Sequence, residues 1–311
     1  MARRDLIDLL LLGAIWGAAF LFTRVAVPEF GPIALVEVRV IIAAVVLLVI
    51  VAARGWMGQF KGRWRALTII AVLNTAVPFA LFAYATRTVP AGFAAVLNAT
   101  VPLFGAIVGR SFFDEKLGRT RAIGLAIGFL GVLVLVAPKL NVAGSPLAIA
   151  AALAAALMYG VAAHLTRRIL PGVNSLVIAA GSIVASVGLL AIPAVLLWPG
   201  TMPSPSAWIS TIALGVFCTG VAYILYFRLL ERVGATGAVA VTYLIPLFGM
   251  IWGGMFLAER VTVPMAAGCL LILLGVSVTT GARRLAGNGS GERRAESEAA
   301  DSGGSARTGG V

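Results

Sequence analysis

The chain has 311 residues, 60% of them hydrophobic and only 12% charged, with a mean hydropathy of +1.03. A soluble domain carries about 25% charged residues and a disordered chain needs low hydrophobicity, so both classes are excluded. The 24 Lys and Arg against 12 Asp and Glu, a net charge of +12, fall in short loops between apolar runs, a pattern that orients membrane helices and does not suggest a nucleic-acid partner.

Ten apolar runs follow in order, at about 6–27, 33–53, 66–86, 89–109, 120–137, 147–166, 175–197, 207–230, 233–257 and 262–281. Each suits a helix across a hydrocarbon core of about 30 Å, and a helix satisfies its backbone groups internally, as lipid demands. Span one, too long for a signal-peptide core, carries Trp16 and, at its outer end, Arg24. Span two carries Glu37 and Arg39 in its outer third. Residues two apart point to nearly opposite helix faces, so these charges do not neutralise each other. Charges inside a bilayer are costly and so need a reason. Glu37 is a candidate for proton coupling. Arg39 is a candidate for gating, coupling or attracting an anionic substrate group, the alternative being a side chain that snorkels to the headgroups.

Span three places Asn74 four residues before Pro78, with Tyr84 further on. Span four repeats the spacing with Asn98 and Pro102, and span nine with Thr242 and Pro246. Proline frees the carbonyl of the residue four before it. A freed carbonyl beside a polar side chain makes a binding spot or a flexing point, or else a plain kink that a neighbouring helix stabilises. Gly124, Gly128 and Gly131 in span five allow close helix approach and are a candidate dimer face, the chain being a monomer or a homodimer. Span six holds Tyr159 and the single histidine, His164, which reads as interfacial beside Arg167 and Arg168. Span eight holds Tyr223 and Tyr226, and Tyr243 follows Thr242. Trp16, Tyr84, Tyr159, Tyr223 and Tyr243 are candidates for stacking on a substrate; core packing or interfacial anchoring is the alternative for each. Cys218 and Cys269 lie inside apolar runs and read as small buried hydrophobes. From Leu285 the tail is rich in Gly, Ser, Ala, Glu and Arg and is expected to be disordered and cytoplasmic.

Of the 24 Lys and Arg, 19 fall on one set of loops and tails, among them Arg3, Arg4, Arg54, Arg65, Arg110 and Arg168. The positive-inside rule places both termini in the cytoplasm. The chain also repeats itself. Shifted by 144, residues 89–136 fall on 233–280 with 17 of 48 positions identical, including Pro102-Leu103-Phe104-Gly105 on Pro246-Leu247-Phe248-Gly249 and Glu115 on Glu259. An offset of 143 brings Trp16-Gly17 onto Tyr159-Gly160. Two halves of five spans must enter the membrane in opposite senses, because five is odd. The expected fold is therefore all-α and membrane-integral, with ten transmembrane helices in two five-helix inverted-topology repeats, residues 6–137 and 147–281, followed by the tail 285–311. Inverted repeats are a common transporter design with the site near the midplane between the halves.

The ten spans, the paired halves, Trp16-Gly17 and the Pro-Leu-Phe-Gly…Glu strings resemble the EamA-type drug/metabolite transporters over about residues 6–281. The resemblance implies a central cavity lined chiefly by spans one, three, four, six, eight and nine, with five and ten peripheral. It implies transport of small organic metabolites, amino-acid-like or drug-like, and export as the direction. Expected partners are a small-molecule substrate and the lipid bilayer of the cell (inner) membrane, with no cofactor. A channel is the alternative. A membrane-embedded enzyme finds little in the sequence: with one His there is no HExxH, and there is no GxSxG elbow and no Cys/His ligand cluster. A sensor has nothing beyond the tail.

Overall fold

The computed structural model describes residues 3–115, 117–140, 144–238 and 240–279; the expected tail lies outside the described residues. Among them all regular structure is helical. Eight helices are long and apolar enough to cross a bilayer: α1 (Arg3–Phe30), α2 (Pro32–Ala53), α3 (Trp64–Thr86), α4 (Ala91–Phe112), α5 (Arg119–Lys139), α6 (Ser145–Ile169), α7 (Ser175–Leu196) and α8 (Pro205–Gly234). Two shorter apolar helices follow, α9 (Val241–Leu257) and α10 (Val263–Thr279). The ninth helix starts at Val241 and not near 233, because Gly234 takes a left-handed φ of 72° that no continuous helix accepts. At 1.5 Å per residue α9 is about 26 Å long, a little short of the roughly 30 Å hydrocarbon core. Large apolar side chains such as Val49, Leu133, Ile192 and Leu270 are each more than 60% exposed, an arrangement that suits helices facing lipid.

Two helices contain a π-helical turn, Val72–Ala76 in α3 and Val216–Val221 in α8, and the turns begin 144 residues apart. In α3 the cause is legible: Pro78 has no N–H to offer the Asn74 carbonyl. In α8 the equivalent residue is Ala222, so there the turn forms without a proline. α4 is interrupted at Ala99 and Thr100, between a segment ending at Asn98 and one starting at Val101. The break falls between Asn98 and Pro102, where proline was expected to free a carbonyl. At the break Leu97 O accepts from Thr100 N at 3.1 Å and Thr100 Oγ1 at 2.7 Å. Pro246, by contrast, lies inside a continuous α9.

Glycines set how the helices meet. A methyl group at Gly13 would fall on Leu244, and one at Gly17 would lie 2.7 Å from Phe248 Cβ and 2.9 Å from Gly249 N, so α1 and α9 run in the same direction in close contact. The repeat reproduces this: a methyl at Gly160 would lie 2.9 Å from Gly105 N and 3.1 Å from Phe104 C, which seats α6 on α4. Each Pro-Leu-Phe-Gly string thus packs on the aromatic-glycine pair of the other half. α4 and α9 are antiparallel, since Glu259, just past the end of α9, hydrogen-bonds the start of α4. Glu115, past the end of α4, therefore lies at the opposite end of the bundle.

The glycine run of α5 is not a free dimer face. A methyl at Gly131 would lie 2.7 Å from Ile272 N, and one at Gly124 would lie 2.8 Å from Gly275 O. The run is packed backbone to backbone on α10 of the same chain, as small residues permit in lipid. Two large apolar clusters complete the interior. One joins α2 and α7 with α1, α3 and α8; the other joins α4, α5, α6 and α10 with α3.

Candidate functional site

A cavity of about 380 Å³, in the size range of small-molecule sites, is lined by residues of both halves. Its lining comes from the six helices that the resemblance implied, α1, α3, α4, α6, α8 and α9, together with α2 through Leu35, Val36 and Arg39. Among the described residues α5 and α10 contribute nothing to it.

Two ring pairs frame the cavity, each joining one half to the other. Trp16 of α1 packs on Tyr226 of α8 with centroids 5.4 Å apart. Phe82 of α3 stacks on Tyr159 of α6 at 6.2 Å, and Phe20 meets Phe82 edge-on at 5.6 Å. The repeat relates the two pairs, since Phe82 and Tyr226 are 144 residues apart as Trp16 and Tyr159 are 143 apart. Such contacts contribute about 0.5–1.5 kcal/mol each beyond their buried area.

The polar groups are fewer, and although the repeat sets Asn98 on Thr242, it gives Arg39 no charged counterpart in the other half. Asn74 projects from the π turn of α3, Asn98 from the break in α4, and Thr242 from the first turn of α9. Arg39 Nε donates to Thr219 Oγ1 at 3.0 Å, and its guanidinium lies 3.8 Å from the centre of the Phe79 ring, a cation–π contact. Thr219 Oγ1 donates in turn to Leu214 O at 2.8 Å, five residues back, a reach that the widened π turn allows. The repeat partner of Thr219 is Thr75, whose buried hydroxyl has no hydrogen-bond partner among the described residues.

Of the residues singled out in the sequence, Trp16, Arg39, Asn74, Asn98, Tyr159, Tyr223 and Thr242 come together around this cavity. Tyr84, Tyr243, Glu37, Pro102 and Pro246 lie outside its lining. Tyr243 packs against the α4–α10 cluster. Tyr84 is half-buried on α3. Glu37 is 6% exposed, with Oε2 unpartnered among the described residues. Pro102 begins the second segment of α4, and Pro246 is buried in α9. Sequence reasoning missed Phe20, Phe79, Phe82 and Thr219. Extending the 144-residue offset back into span three would have found three of them, because it sets Phe79 on Tyr223, Phe82 on Tyr226 and Thr75 on Thr219.

Charged contacts gather at the two ends of the bundle. At one end the Glu259 carboxylate accepts from Ala91 N at 2.7 Å and Gly92 N at 3.2 Å. There Glu29 also accepts from Ser204 N at 2.5 Å and Ser204 Oγ at 2.7 Å, tying α1 to the start of α8. Arg24 donates to the Thr86 carbonyl. At the other end Glu115 lies 3.5 Å from His164 Nε2 and 3.8 Å from Arg121, and Arg232 pairs with Asp8 at 3.3 Å and Asp5 at 3.7 Å. His164 is thus held by Glu115 and by the Gly160 carbonyl, 3.0 Å from Nδ1.

Comparison with known proteins gives this arrangement a family. An uncharacterized transporter of Archaeoglobus fulgidus is 26% identical over 271 residues, covering 85% of this chain and 94% of its own length. A probable amino-acid metabolite efflux pump of Escherichia coli is 26% identical over 297 residues, covering 89% of this chain and 95% of its own. A protein of known crystal structure shares the fold, with a TM-score of 0.65 at 21% identity over 92% of this chain and 99% of that one. Residues 6–137 and 146–281 each match the EamA-like transporter family, and with helices that suit a bilayer the chain belongs to that family of multi-pass membrane transporters.

Proposed function

We propose that the chain is a secondary exporter of small organic solutes that works by alternating access. Ten membrane-crossing helices form two inverted five-helix halves, 6–137 and 147–281, in the cell membrane, with both termini and the tail from 285 in the cytoplasm. The central cavity is the solute site, and rocking of one half against the other exposes it to each side in turn. The observation that carries this reading is the antiparallel docking of the repeat-related helices α4 and α9 beside a cavity lined from both halves. The bias of Lys and Arg to one set of loops supports the orientation. The efflux pump among the relatives supports export of metabolites.

The test has two arms. Single cysteines at Glu115 and Glu259, in a chain otherwise free of cysteine, should be labelled by impermeant reagents from opposite sides of the membrane. Labelling of both from one side removes the inverted halves. Proteoliposomes loaded with candidate metabolites should show saturable flux and counterflow. Non-saturating, ohmic current in their place would make the protein a channel.

A further inference from the structure

Among the described residues Arg39 is the single charged one that lines the cavity. Two features of the protein fix its guanidinium. Thr219 Oγ1 takes the Nε–H at 3.0 Å, and the Phe79 ring lies against the guanidinium face at 3.8 Å. Among the described residues no hydrogen bond uses the four terminal N–H groups of the fork, and no carboxylate forms an ion pair with it. Glu37 is the nearest acidic residue along the chain, two positions away. α2 sets the two on different faces, so that Glu37 is buried outside the cavity lining while Arg39 opens into it.

A cation without a counterion inside a membrane protein is costly and is retained for a reason. The guanidinium fork matches a carboxylate with two parallel N–H···O bonds. Here its orientation is set in advance by Thr219 and Phe79, which lowers the ordering cost of binding. Among the described residues no acidic side chain lines the cavity to hold an ammonium group, and one positive charge suits one negative charge. The remaining walls are aromatic rings, aliphatic side chains and Cys218, with neutral polar groups from the amides of Asn74 and Asn98 and from threonines such as Thr23 and Thr242. The geometry points to Arg39 as the residue that recognises the substrate, and to organic monocarboxylates with an aromatic or apolar body as the substrate class. This rests on the reading of the cavity as the solute site. It moves Arg39 from gating or coupling to binding.

The test uses the full chain in lipid nanodiscs and three probes of nearly one shape: phenylacetate, the neutral phenylacetamide and the cationic phenethylamine. Binding is read from tryptophan fluorescence, since Trp16 lines the cavity. Phenylacetate should bind saturably and about tenfold or more tighter than either analogue, the scale of a hydrogen bond to a charged group. Arg39→Lys, which keeps the charge but not the fork, should weaken phenylacetate severalfold and keep the order of the three. Arg39→Gln should erase the preference at an unchanged melting temperature. Amide or amine binding as tight as the acid in the unaltered protein, or no saturable acid binding, overturns the assignment without recourse to any variant. Flux in proteoliposomes separates the two readings. Acid binding without flux removes the transport cycle and leaves the anchor, whereas saturable flux of the amine in preference to the acid removes the anchor and leaves the cycle.

Discussion

The turns that follow α4 and α9 share a backbone but not their partners. In the first, Glu115 N donates to Gly109 O at 3.0 Å and Asp114 takes a φ of 51°. In the second, Glu259 N donates to Gly253 O at 3.1 Å and Ala258 takes a φ of 52°. The glutamates then diverge. Glu259 crosses to the other half and accepts two backbone N–H groups at the buried N-terminus of α4, where helix dipole and unpaired donors both favour a carboxylate. Glu115 faces the side chains of His164 and Arg121 at longer range, and its own side chain is 27% exposed. Duplication has preserved the shape of the turn, while each end of the bundle has acquired its own electrostatics. A structural repeat is therefore a guide to where a residue lies and a poor guide to what it binds.

The largest expected effect comes from Glu259→Ala. It leaves the N–H groups of Ala91 and Gly92 buried without an acceptor, a loss of about 1–3 kcal/mol, read as a lower melting temperature in detergent or nanodiscs. Glu115→Ala, at the exposed turn, should cost about 1 kcal/mol or less. Equal losses would break the contrast between the two ends. Alanine in place of the turn glycines sharpens it. A methyl at Gly253 would overlap Glu259 Oε2, which the Ala91 and Gly92 N–H groups hold in place, whereas at Gly109 the nearest atoms, His164 Nε2 at 2.9 Å and Glu115 Oε2 at 3.1 Å, are side-chain ends at longer range. Overpacking costs about 1–3 kcal/mol and the gain in helix propensity returns up to about 1 kcal/mol. Gly253→Ala should therefore lower the melting temperature, and Gly109→Ala should leave it nearly unchanged.

The scaffold was legible in the sequence because lipid imposes simple requirements. Apolar length located the helices, and the Pro-Leu-Phe-Gly strings located the repeat. The residues the repeat aligns, Gly17 with Gly160 and Gly105 with Gly249, prove to lie where helices approach closely. That the two motifs meet each other across the halves was not legible, because a one-dimensional alignment pairs equivalent residues and not touching ones. The π turn of α8 was hidden for a related reason: without a proline at Ala222, nothing local marks it. The cavity was half legible. Trp16, Tyr159, Asn98 and Thr242 stood out as polar or aromatic groups in apolar spans, whereas Phe20, Phe79 and Phe82 look like any other core residue until the helices are assembled. Tyr84 and Tyr243 lie outside the cavity lining, since a tyrosine in a span is not thereby turned toward the cavity.

The smallest expected effect concerns the ion pair at the exposed turn. Arg121 Nη1 lies 3.8 Å from Glu115 Oε2, and both side chains keep some contact with solvent, 16% and 27%. Attraction at that distance is weak in a high dielectric and is screened further by salt, whose Debye length falls to about 3 Å at 1 M. Arg121→Gln should change stability by about 0.2–1 kcal/mol at low ionic strength, and the difference from the unaltered protein should fade as salt rises to molar concentration. The Glu259 contact behaves otherwise, because its donors are buried backbone N–H groups that mobile ions do not reach. The deficit of Glu259→Ala should persist at every salt concentration. A melting series of both variants across salt therefore isolates the contrast between the turns. A Glu259→Ala deficit that vanished with salt would mean that this carboxylate, too, is held by surface attraction.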